Sequence, residues 1–490
     1  MRRIGQGNLG DLALLSPNDM VELHGTMNLN YAVGLSGLTF TSDPTDPAIL
    51  DGGGVTPHAF RFNGGDGLGL IGLTIQNYRP GQQKGAVQGA DSRRWLIEDC
   101  DVSRQVPGTG AWPSLEHGGY GVRLGHEMVL RRSHFNDNPS MGFSGIGDDI
   151  LIEDVEIARN NWAERLTDAE IEAAFVAKQE PAMNVDAGNE GGGAKLVRTN
   201  RLIARHVHCH HNGGRGWWPD HDNLNFYTED LTSEWNANEG YSPELGGSGR
   251  LAYATLRFNG MGRDILLSGT WGWAAQAVFH NAPDQVLERA LMVVHAVGGN
   301  GFYQISQSSR YSGQKYIGKN SVVRDSVIVY EGSTGQHGSF EDGPAQGQAE
   351  PPLWERVTAD PAHLDTHHPL LPGGAGPDIN EVGARSLPDF TIPGVPPIVI
   401  PPEPTDEWEA HVAAADDRLA ELHAAANGAV SHISLMQVAG DALHALAITP
   451  VAPPPFDAVN ATDAELVAEG NRLDALADAV RAEKDARIAT

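Results

Sequence analysis

The sequence is poor in cysteine and has no long apolar run. Only Cys100 and Cys209 occur in 490 residues, which excludes a fold held together by a disulfide framework. No stretch reaches the roughly 18 consecutive apolar residues of a membrane-spanning helix. The first residues, MRRIGQGNLGDLALLSPNDM, also lack the apolar core of a secretion signal. We therefore expect a protein with no membrane span that folds in the cytoplasm of the cell that makes it.

Positive charge is scarce as well. The chain has 34 Lys and Arg residues against 63 Asp and Glu residues, for a formal net charge of −29. A surface of that charge repels polyanions, so we expect no nonspecific binding to nucleic acid or anionic lipid. The 59 glycines and 30 prolines are typical of a globular protein with many turns.

Short strand-like segments recur along the sequence. LIEDCDVSR at 96–104 returns as LIEDVEIAR at 151–159 and as VVRDSVIVY at 322–330, and their alternating, β-branched pattern indicates strands. Three consecutive copies align on Asn212, Asn236 and Asn259, at steps of 24 and 23 residues. A period in the low twenties, with strands ended by Asn and Gly, is typical of coils in a parallel β-helix.

The aligned asparagines predict a structural ladder. In a parallel β-helix, equivalent side chains of successive coils stack at about 4.8 Å. Asn212, Asn236 and Asn259 would then bond to one another at a turn, where asparagine tolerates a left-handed backbone. Asn136 and Asn160 are also 24 residues apart, and they extend the same pattern toward the amino terminus.

The sequence predicts an all-β solenoid, a right-handed single-stranded parallel β-helix, with helical additions. Residues 1–332 form the predicted β-helix, interrupted by a short helix within 163–180 that starts with a capping box from Thr167 to Glu170. Residues 333–405 are predicted to be loops and a Pro-rich linker. Residues 406–490 are rich in alanine and predict a helical bundle or a region for oligomerisation and attachment.

Two acidic residues fall at matching positions of neighbouring coils. GWWPD at 216–220 aligns with GYSPE at 240–244, so Asp220 should lie beside Glu244. Two carboxylates one strand spacing apart repel, which predicts either a raised pKa or a cation between them. A spacing near 5 Å also suits a retaining glycoside hydrolase. The alternative is that each carboxylate accepts N–H groups of its own turn.

A second row of polar residues precedes the asparagine ladder. His210, Glu234 and Arg257 should lie side by side on the outer face of three coils. A base, an acid and a cation on one face are what β-elimination of an acidic polysaccharide requires. Cross-strand ion pairs on a solvated sheet would give the same pattern.

Several aromatic residues lie close to the acidic pair. Trp217, Trp218 and Tyr241 occur within about one coil, and Trp112 lies in an inserted segment at 108–121. Aromatic faces beside polar groups commonly hold sugar rings. We therefore predict these four residues as a carbohydrate platform, with the alternative that at least one of the clustered rings fills the core.

The sequence gives no convincing metal site. The histidines of HVHCHH at 206–211 stand about 6.5 to 7 Å apart along one strand face, too far to share one zinc ion without another coil. If a cofactor binds, the oxygen atoms of Asp220, Asp222 and Glu244 favour calcium.

The segment NGGRGWWPDHDN at 212–223, preceded by GNEGGGAKL at 188–196 and followed by NANEGYSPE at 236–244, resembles the right-handed parallel β-helix proteins of the pectate-lyase-like superfamily. The resemblance covers about residues 1 to 330 and implies the fold. It also implies that Asp220, Asp222 and Glu244 match the acidic positions of that superfamily. Activity stays open, because the superfamily includes lyases, hydrolases, epimerases and noncatalytic adhesins.

The order of the regions also resembles that of bacteriophage tail proteins, in which a β-helix is combined with a linker and a helical tail. This resemblance implies a virion component that is folded in the host cytoplasm and binds host surface polysaccharide. Whether it also degrades the polysaccharide stays open. The C-terminal helices would contact other tail proteins or further copies of the chain, as in a trimer. The alternatives are a secreted bacterial polysaccharide lyase or glycoside hydrolase, and a noncatalytic structural spike.

Overall fold

A computed structural model describes residues 2–108, 118–179, 181–186, 190–261, 275–296, 299–306, 317–332, 339–342, 350, 352–359, 382 and 384. The helical region predicted for 406–490, most of the predicted linker and Trp112 lie outside the described residues. No helix in the described ranges is long and apolar enough to cross a bilayer.

The described chain winds into stacked coils in which every strand pairs in parallel with equivalent strands of the coils before and after it. Twenty short strands form sheet A. A seven-stranded and a three-stranded sheet continue each other through the bridges from Trp217 to Tyr241 and from Tyr241 to Ala277, and together they form sheet B. This is a right-handed parallel β-helix, as the sequence predicts.

The strands of sheet A are β1 (Arg2–Ile4), β2 (Met20–Leu23), β3 (Thr26–Met27), β5 (Thr39–Ser42), β6 (Ile49–Asp51), β8 (Gly69–Ile71), β9 (Thr74–Gln76), β11 (Leu96–Glu98), β12 (Asp101–Val102), β14 (Val129–His134), β16 (Asp148–Ala158), β18 (Asn200–His210), β20 (Leu224–Glu234), β21 (Gly249–Ala252), β22 (Thr255–Arg257), β24 (Gln285–Glu288), β25 (Leu291–Val294), β27 (Val322–Arg324), β28 (Val327–Tyr330) and β30 (Leu353–Glu355). Those of sheet B are β4 (Tyr31–Val33), β7 (Phe60–Phe62), β10 (Gly85–Gln88), β13 (Tyr120–Leu124), β15 (Met141–Gly145), β17 (Gly192–Val197), β19 (Arg215–Asp220), β23 (Ala275–His280), β26 (Asn300–Ser306) and β29 (Ser339–Asp342).

From β8 onward, sheet A bends once in each described coil, and the bend is a single residue with a left-handed backbone. The φ angles at these bends lie between 43° and 69°. The bend residues are Gly72, Asp99, Arg132, Asp154, His206, Asp230, Tyr253, Arg289, Asp325 and Arg356. Each repeat that the sequence presents as one strand is therefore two strand segments meeting at a corner, with side chains on the two segments facing different directions.

The core is a set of side-chain columns that run through the coils. One column alternates large and small residues, which lets neighbouring coils interdigitate. It contains Val122, Phe143, Ala194, Trp217, Tyr241, Ala277 and Phe302. Cys100 and Cys209 are both buried with free thiols, which agrees with the absence of a disulfide framework.

The asparagine ladder is confirmed. Asn212 Nδ2 donates to Asn236 Oδ1 at 2.9 Å, and Asn236 Nδ2 donates to Asn259 Oδ1 at 2.8 Å. Asn160 donates to Asn212 in the same way, and Gln276 accepts from Asn259 at the other end. All of these side chains are buried, so the amides bond one another instead of water.

Two details of the predicted ladder are wrong. The coil before Asn160 contributes Asn138, whose N–H donates to Asn160 Oδ1 at 2.9 Å, while Asn136 bonds Glu156 instead. The left-handed residue is also not the ladder asparagine but the residue before it, as at His211 with a φ of 56° and Trp235 with a φ of 53°. That bend turns the following amide inward, toward its neighbours.

The inserted helix is confirmed as α1 (Asp168–Val176). Thr167 caps it: Glu170 N–H donates to Thr167 Oγ1 at 3.3 Å, and Thr167 N–H donates to Glu170 Oε2 at 2.8 Å. Ile171 and Phe175 are buried, and with Trp162 they belong to a small apolar cluster beside the main core. A 3₁₀ helix (Gln6–Leu14) near the amino terminus was not predicted.

Candidate active site

Asp220 and Glu244 are neighbours, as the alignment of their coils predicts. Asp220 ends β19 and forms a parallel bridge with Glu244, which forms the next bridge with His280 in β23. Neighbouring strands lie about 4.8 Å apart. Three ionisable side chains from three successive coils therefore lie side by side where the strands of sheet B end.

Asp220 is held in a buried position by a lysine. Lys195 Nζ lies 3.1 Å from Asp220 Oδ2, and Asp220 is only 9% exposed. Burial raises the pKa of Asp220, and the negative charge of Glu244 adds to that rise, while Lys195 opposes it. The net effect favours a protonated Asp220 to a higher pH than an ordinary aspartate.

The partners of Glu244 shift its pKa in the opposite direction. Its Oε2 accepts from Arg215 Nη1 at 2.9 Å and from Trp218 Nε1 at 3.2 Å, and its Oε1 lies 3.1 Å from His280 Nδ1. Burial alone would raise the pKa of Glu244, but Arg215 and His280 outweigh burial and hold that pKa well below its ordinary value. Glu244 is therefore a carboxylate that stays ionised.

Arg215 connects this pair to a further buried carboxylate. Its Nε donates to Glu239 Oε2 at 2.7 Å, and Glu239 is fully buried. Lys195 also lies 3.7 Å from Glu190 Oε1, and Glu190 Oε2 accepts from the hydroxyl of Tyr120. We call the following residues the Asp220 cluster: Glu190, Lys195, Arg215, Trp218, Asp220, Glu239, Glu244 and His280.

Trp218 is the aromatic floor of the cluster. Lys195 Nζ and Arg215 Cζ each lie 4.0 Å from the centre of its ring, so two cations contact the indole. Trp218 is 2% exposed, which means that the cations, and not solvent, cover the ring. Its role is to fix the positions of Lys195 and Arg215.

The predicted carbohydrate platform needs correction. Trp217 and Tyr241 point into the solenoid and pack in the main core with no exposed surface. Gly216 and Gly240 before them also lie against the interior, next to ladder asparagines. Rings in this position stabilise the coils and cannot stack on a sugar. Trp112 lies outside the described residues.

The three carboxylates considered for calcium do not converge. Asp220 and Glu244 face ammonium and guanidinium groups, which occupy the space that a cation would need. Asp222 has a left-handed backbone with a φ of 59°, and its carboxylate faces His221 at 3.1 Å and Arg198 at 3.9 Å. This arrangement does not fit a calcium ion, which needs six or more oxygen ligands.

The second predicted row lies in register on sheet A but divides into separate contacts. His210, Glu234 and Arg257 are paired across three coils. Glu234 accepts from Arg257 Nε and lies 3.0 Å from His208 Nε2. Burial would raise the pKa of Glu234, but His208 and Arg257 lower it to about 2. Glu234 is therefore a firmly ionised member of an ion-pair network.

His210 contacts that network by stacking its ring on that of His208, with ring centres 4.1 Å apart. It turns toward Glu156, with Nε2 3.5 Å from Glu156 Oε1, and toward His211. His206 is the bend residue of its coil with a φ of 51°, so it does not continue the line of His208 and His210. Strand alternation, which predicts one row of three histidines, fails at this corner.

Sequence reasoning missed five members of the Asp220 cluster: Glu190, Lys195, Arg215, Glu239 and His280. Lys195 pairs with Trp218 one coil later, so aligning GNEGGGAKL with NGGRGWWPD would have placed it beside the pair. His280 lies 36 residues after Glu244, in a coil of irregular length that the repeat pattern does not reach.

No protein-family model matches the chain, and no curated protein matches it by sequence. Among solved structures, it is similar to a mannuronic acid specific polysaccharide family 6 lyase from human gut microbiota, at 12% identity and a TM-score of 0.43 over 73% of this chain and 79% of that one. It is also similar to the A-module of the mannuronan C-5 epimerase AlgE4 of Azotobacter vinelandii, at 11% identity and a TM-score of 0.35 over 74% of this chain and 94% of that one. A third similar structure is the pectate lyase Pel9A, at 12% identity and a TM-score of 0.34 over 70% of this chain and 75% of that one. The assignment of the fold rests on the parallel register of the coils themselves.

Proposed function

We propose that this chain binds a polysaccharide along sheet B and hydrolyses its glycosidic bonds, with Asp220 as the proton donor and Glu244 as the ionised partner. The observation that carries the proposal is the opposite direction of the two pKa shifts in carboxyl groups one strand apart. Two carboxyl groups with separated pKa values are the usual arrangement for acid and base in glycoside hydrolysis. The strand spacing of about 4.8 Å is close to the separation of the carboxyl groups in a retaining mechanism, in which the ionised partner is a nucleophile.

The charge of the Asp220 cluster favours a neutral glycan over an acidic one. The cluster has two permanent cations and four carboxyl groups. The cations are Lys195 and Arg215, and the carboxyl groups are those of Glu190, Asp220, Glu239 and Glu244. A sugar carboxylate would therefore meet a site whose positive charges are already neutralised.

β-Elimination is the second candidate, and Lys195 is the observation that favours it. Its ammonium lies between Asp220 and Glu190 and next to Trp218. In elimination, the amine of Lys195 would take the C5 proton of a uronic acid, the C4–O bond would break, and the carboxyl group of Asp220 would protonate the leaving oxygen. Arg215 would neutralise the sugar carboxylate. The two chemistries differ in product, because elimination leaves an unsaturated sugar and hydrolysis does not.

The test is incubation of the purified chain with cell-envelope glycans, followed by assays for new reducing ends and for ultraviolet absorbance of unsaturated products. We expect new reducing ends without ultraviolet absorbance. The rate should be lower than that of the wild type by about 100-fold or more in Asp220→Asn and in Glu244→Gln. The matched control is Asp148→Asn, which neutralises an exposed carboxylate near His126. Circular dichroism and the melting temperature separate a catalytic loss from a folding loss.

Unchanged glycan with the wild-type chain would reject the enzymatic proposal and leave binding as the function. Absorbing products that disappear in Lys195→Met would replace hydrolysis by elimination. Glycan binding itself is measured separately by retention on immobilised polysaccharide, which needs no turnover.

At the level of the particle, we propose that the chain is a tail component of a bacteriophage. Support comes from the sequence, in which a Pro-rich stretch, FTIPGVPPIVIPPEP at 390–404, separates the β-helix from an alanine-rich end. Labelling purified virions with an antibody against this chain tests the proposal by electron microscopy. Labelled tails are expected, and accumulation of the chain in bacterial growth medium without virions would favour the secreted alternative.

A further inference from the structure

The amino end of helix α1 and the carboxyl end of β18 bring three metal-binding side chains together. They are Asp168, His210 and His211, and one ligand atom of each lies within 4.8 Å of the others. Both histidines are buried, at 6% and 4% exposure. The third residue comes from the inserted helix, about 40 positions earlier in the sequence, which is why the motif HVHCHH alone does not indicate the site.

Each of the two histidines has a carboxylate beside its Nε2 atom. His210 Nε2 faces Glu156 Oε1 at 3.5 Å, and His211 Nε2 faces Glu172 Oε1 at 3.1 Å. A carboxylate that faces Nε2 orients the ring and turns Nδ1 toward the opposite side. The two Nδ1 atoms are therefore the ring nitrogens available to a metal ion.

These two Nδ1 atoms face each other at 2.8 Å. A proton or a metal ion shared by the two nitrogens accounts for so short a distance. Asp168 contributes a negative charge at the same point: its Oδ2 is 3.9 Å from His210 Nδ1, and its Oδ1 is 3.7 Å from His211 Nδ1. Those distances are too long for hydrogen bonds.

The same distances suit atoms that share one ion. With metal–ligand bonds of about 2.0 to 2.1 Å in a tetrahedron, ligand atoms stand roughly 3.3 Å apart. The observed separations bracket this value, and side-chain shifts of about half an ångström would equalise them. We infer that Asp168, His210 and His211 bind one divalent transition-metal ion, with Zn²⁺ as the expected species.

The surroundings have the features of an outer coordination shell. Glu156 and Glu172 hold the far nitrogens of the two rings, an arrangement that orients metal-binding histidines. Arg159 Nη1 donates to Asp168 Oδ1 at 2.9 Å, which holds the carboxylate in place beside the two rings. The Asp168 side chain is 42% exposed, so water can complete the coordination from the solvent side.

The ion would fasten α1 to the solenoid. Asp168 is the first residue of the helix, and His210 and His211 end a strand of sheet A. The helix otherwise contacts the solenoid through the small apolar cluster around Ile171, Phe175 and Trp162. This inference concerns sheet A and does not depend on the hydrolysis proposed for sheet B.

The experiment is titration of metal-free full-length protein with Co²⁺ and Zn²⁺. We expect one ion per chain, the visible absorption bands of tetrahedral Co²⁺, their loss on adding Zn²⁺, and a higher melting temperature with either ion. His210→Gln retains a polar atom toward Glu156 but has none at the Nδ1 position, and Asp168→Asn removes the charged ligand. Both changes should abolish the absorption bands and the shift in melting temperature.

His221→Asn is the matched control. His221 also lies beside a carboxylate, Asp222, and has a left-handed backbone that asparagine tolerates. The His221→Asn variant should bind Co²⁺ like the wild type. Glu172→Gln, on an exposed part of the helix, should weaken Co²⁺ binding roughly 10- to 100-fold. This variant provides the test if His210→Gln or Asp168→Asn fails to fold.

Two results would overturn the inference. One is a wild-type chain that neither gives the Co²⁺ spectrum nor melts higher with Zn²⁺, in which case a shared proton occupies the gap between the rings. The other is binding that persists unchanged in folded His210→Gln and Asp168→Asn, which would place the ion elsewhere.

Discussion

At the scale of single residues, Asp220 and Glu244 show how position alone separates two similar groups. Both are buried, and burial alone would raise both pKa values. Glu244 has three hydrogen-bonding partners, among them Arg215, while the ion-pair partner of Asp220 is Lys195. The number and placement of cations therefore decide which carboxyl group holds a proton and which holds a charge.

The opposite pKa shifts of Asp220 and Glu244 predict the pH dependence of the proposed hydrolysis. With Asp220 as the proposed acid, the reaction needs a protonated Asp220, so kcat/KM should fall as pH rises through the raised pKa of Asp220. It also needs an ionised Glu244, so kcat/KM should fall as pH drops toward the lowered pKa of Glu244. The measurement is the pH profile of kcat/KM for wild type and Asp220→Asn. An alkaline limb that survives in the residual activity of Asp220→Asn would assign the acid to another group.

Arg215 predicts a large effect on stability. Its guanidinium is 3% exposed and is held by Glu239 at 2.7 Å. Glu239→Gln removes one of its charged partners inside the protein, and we expect the free energy of unfolding to fall by about 3 kcal/mol. Urea denaturation measures this change. Glu22→Gln, which removes an exposed pairing with Arg3 at 3.5 Å, should cost less than about 1 kcal/mol, and equal losses would contradict the role of burial.

The sequence locates Asp220 beside Glu244 because both residues occur in neighbouring copies of one motif with regular spacing. It does not locate His280, since the coil between Glu244 and His280 is 36 residues long. It also misjudges Trp217 and Tyr241. An aromatic residue next to a catalytic candidate looks the same in sequence whether its ring faces solvent or core. Here both rings, those of Trp217 and Tyr241, lie in the core column.

At the scale of elements, the ladder predicts a cooperative contribution from its asparagines. Asn236 accepts from Asn212 and donates to Asn259 and to the Cys209 carbonyl. Asn236→Ala removes the acceptor of the Asn212 N–H and the donor to Asn259 Oδ1 and the Cys209 carbonyl, and a buried group left unsatisfied costs roughly 1 to 3 kcal/mol. We expect a total loss of about 3 kcal/mol in the free energy of unfolding.

The control for this change is Asn200→Ala. Asn200 accepts a hydrogen bond from Asn225 at an exposed position, so its loss should change stability by less than about 0.5 kcal/mol. Denaturant unfolding of both variants gives the comparison. If Asn236→Ala is as stable as Asn200→Ala, the ladder is a consequence of the fold and not one of its supports.

The strands and the ladder are predictable from sequence because their signals are local and repeated: alternation of period two, and an asparagine every coil. The corner of sheet A is not, since its left-handed positions hold residues as different as Asp154, His206 and Arg289. Only one of the described bend positions, Gly72, is a glycine, so composition gives little sign of the bend. The stacking of the coils imposes the bend, and at His206 the bend interrupts the predicted row of three histidines.

At the scale of the whole molecule, charge sets which glycans can approach. The formal net charge of −29 gives a negative field that extends about 10 Å at 0.1 M salt. Within the Asp220 cluster the carboxyl groups also outnumber the permanent cations. Both the long-range field and the local site therefore disfavour a polymer of uronic acids.

We accordingly expect neutral polysaccharide to bind with little dependence on salt. A uronic acid polymer should bind weakly at low ionic strength, and its affinity should rise as salt screens the repulsion. Retention on immobilised glycans across a range of NaCl concentrations measures both. Strong binding of the acidic polymer at low salt, weakened by added salt, would show instead that a local cationic surface overrides the field of the chain. Lys195 and Arg215 would then have to release their carboxylate partners to reach the sugar, and the proposed chemistry would change from hydrolysis to elimination.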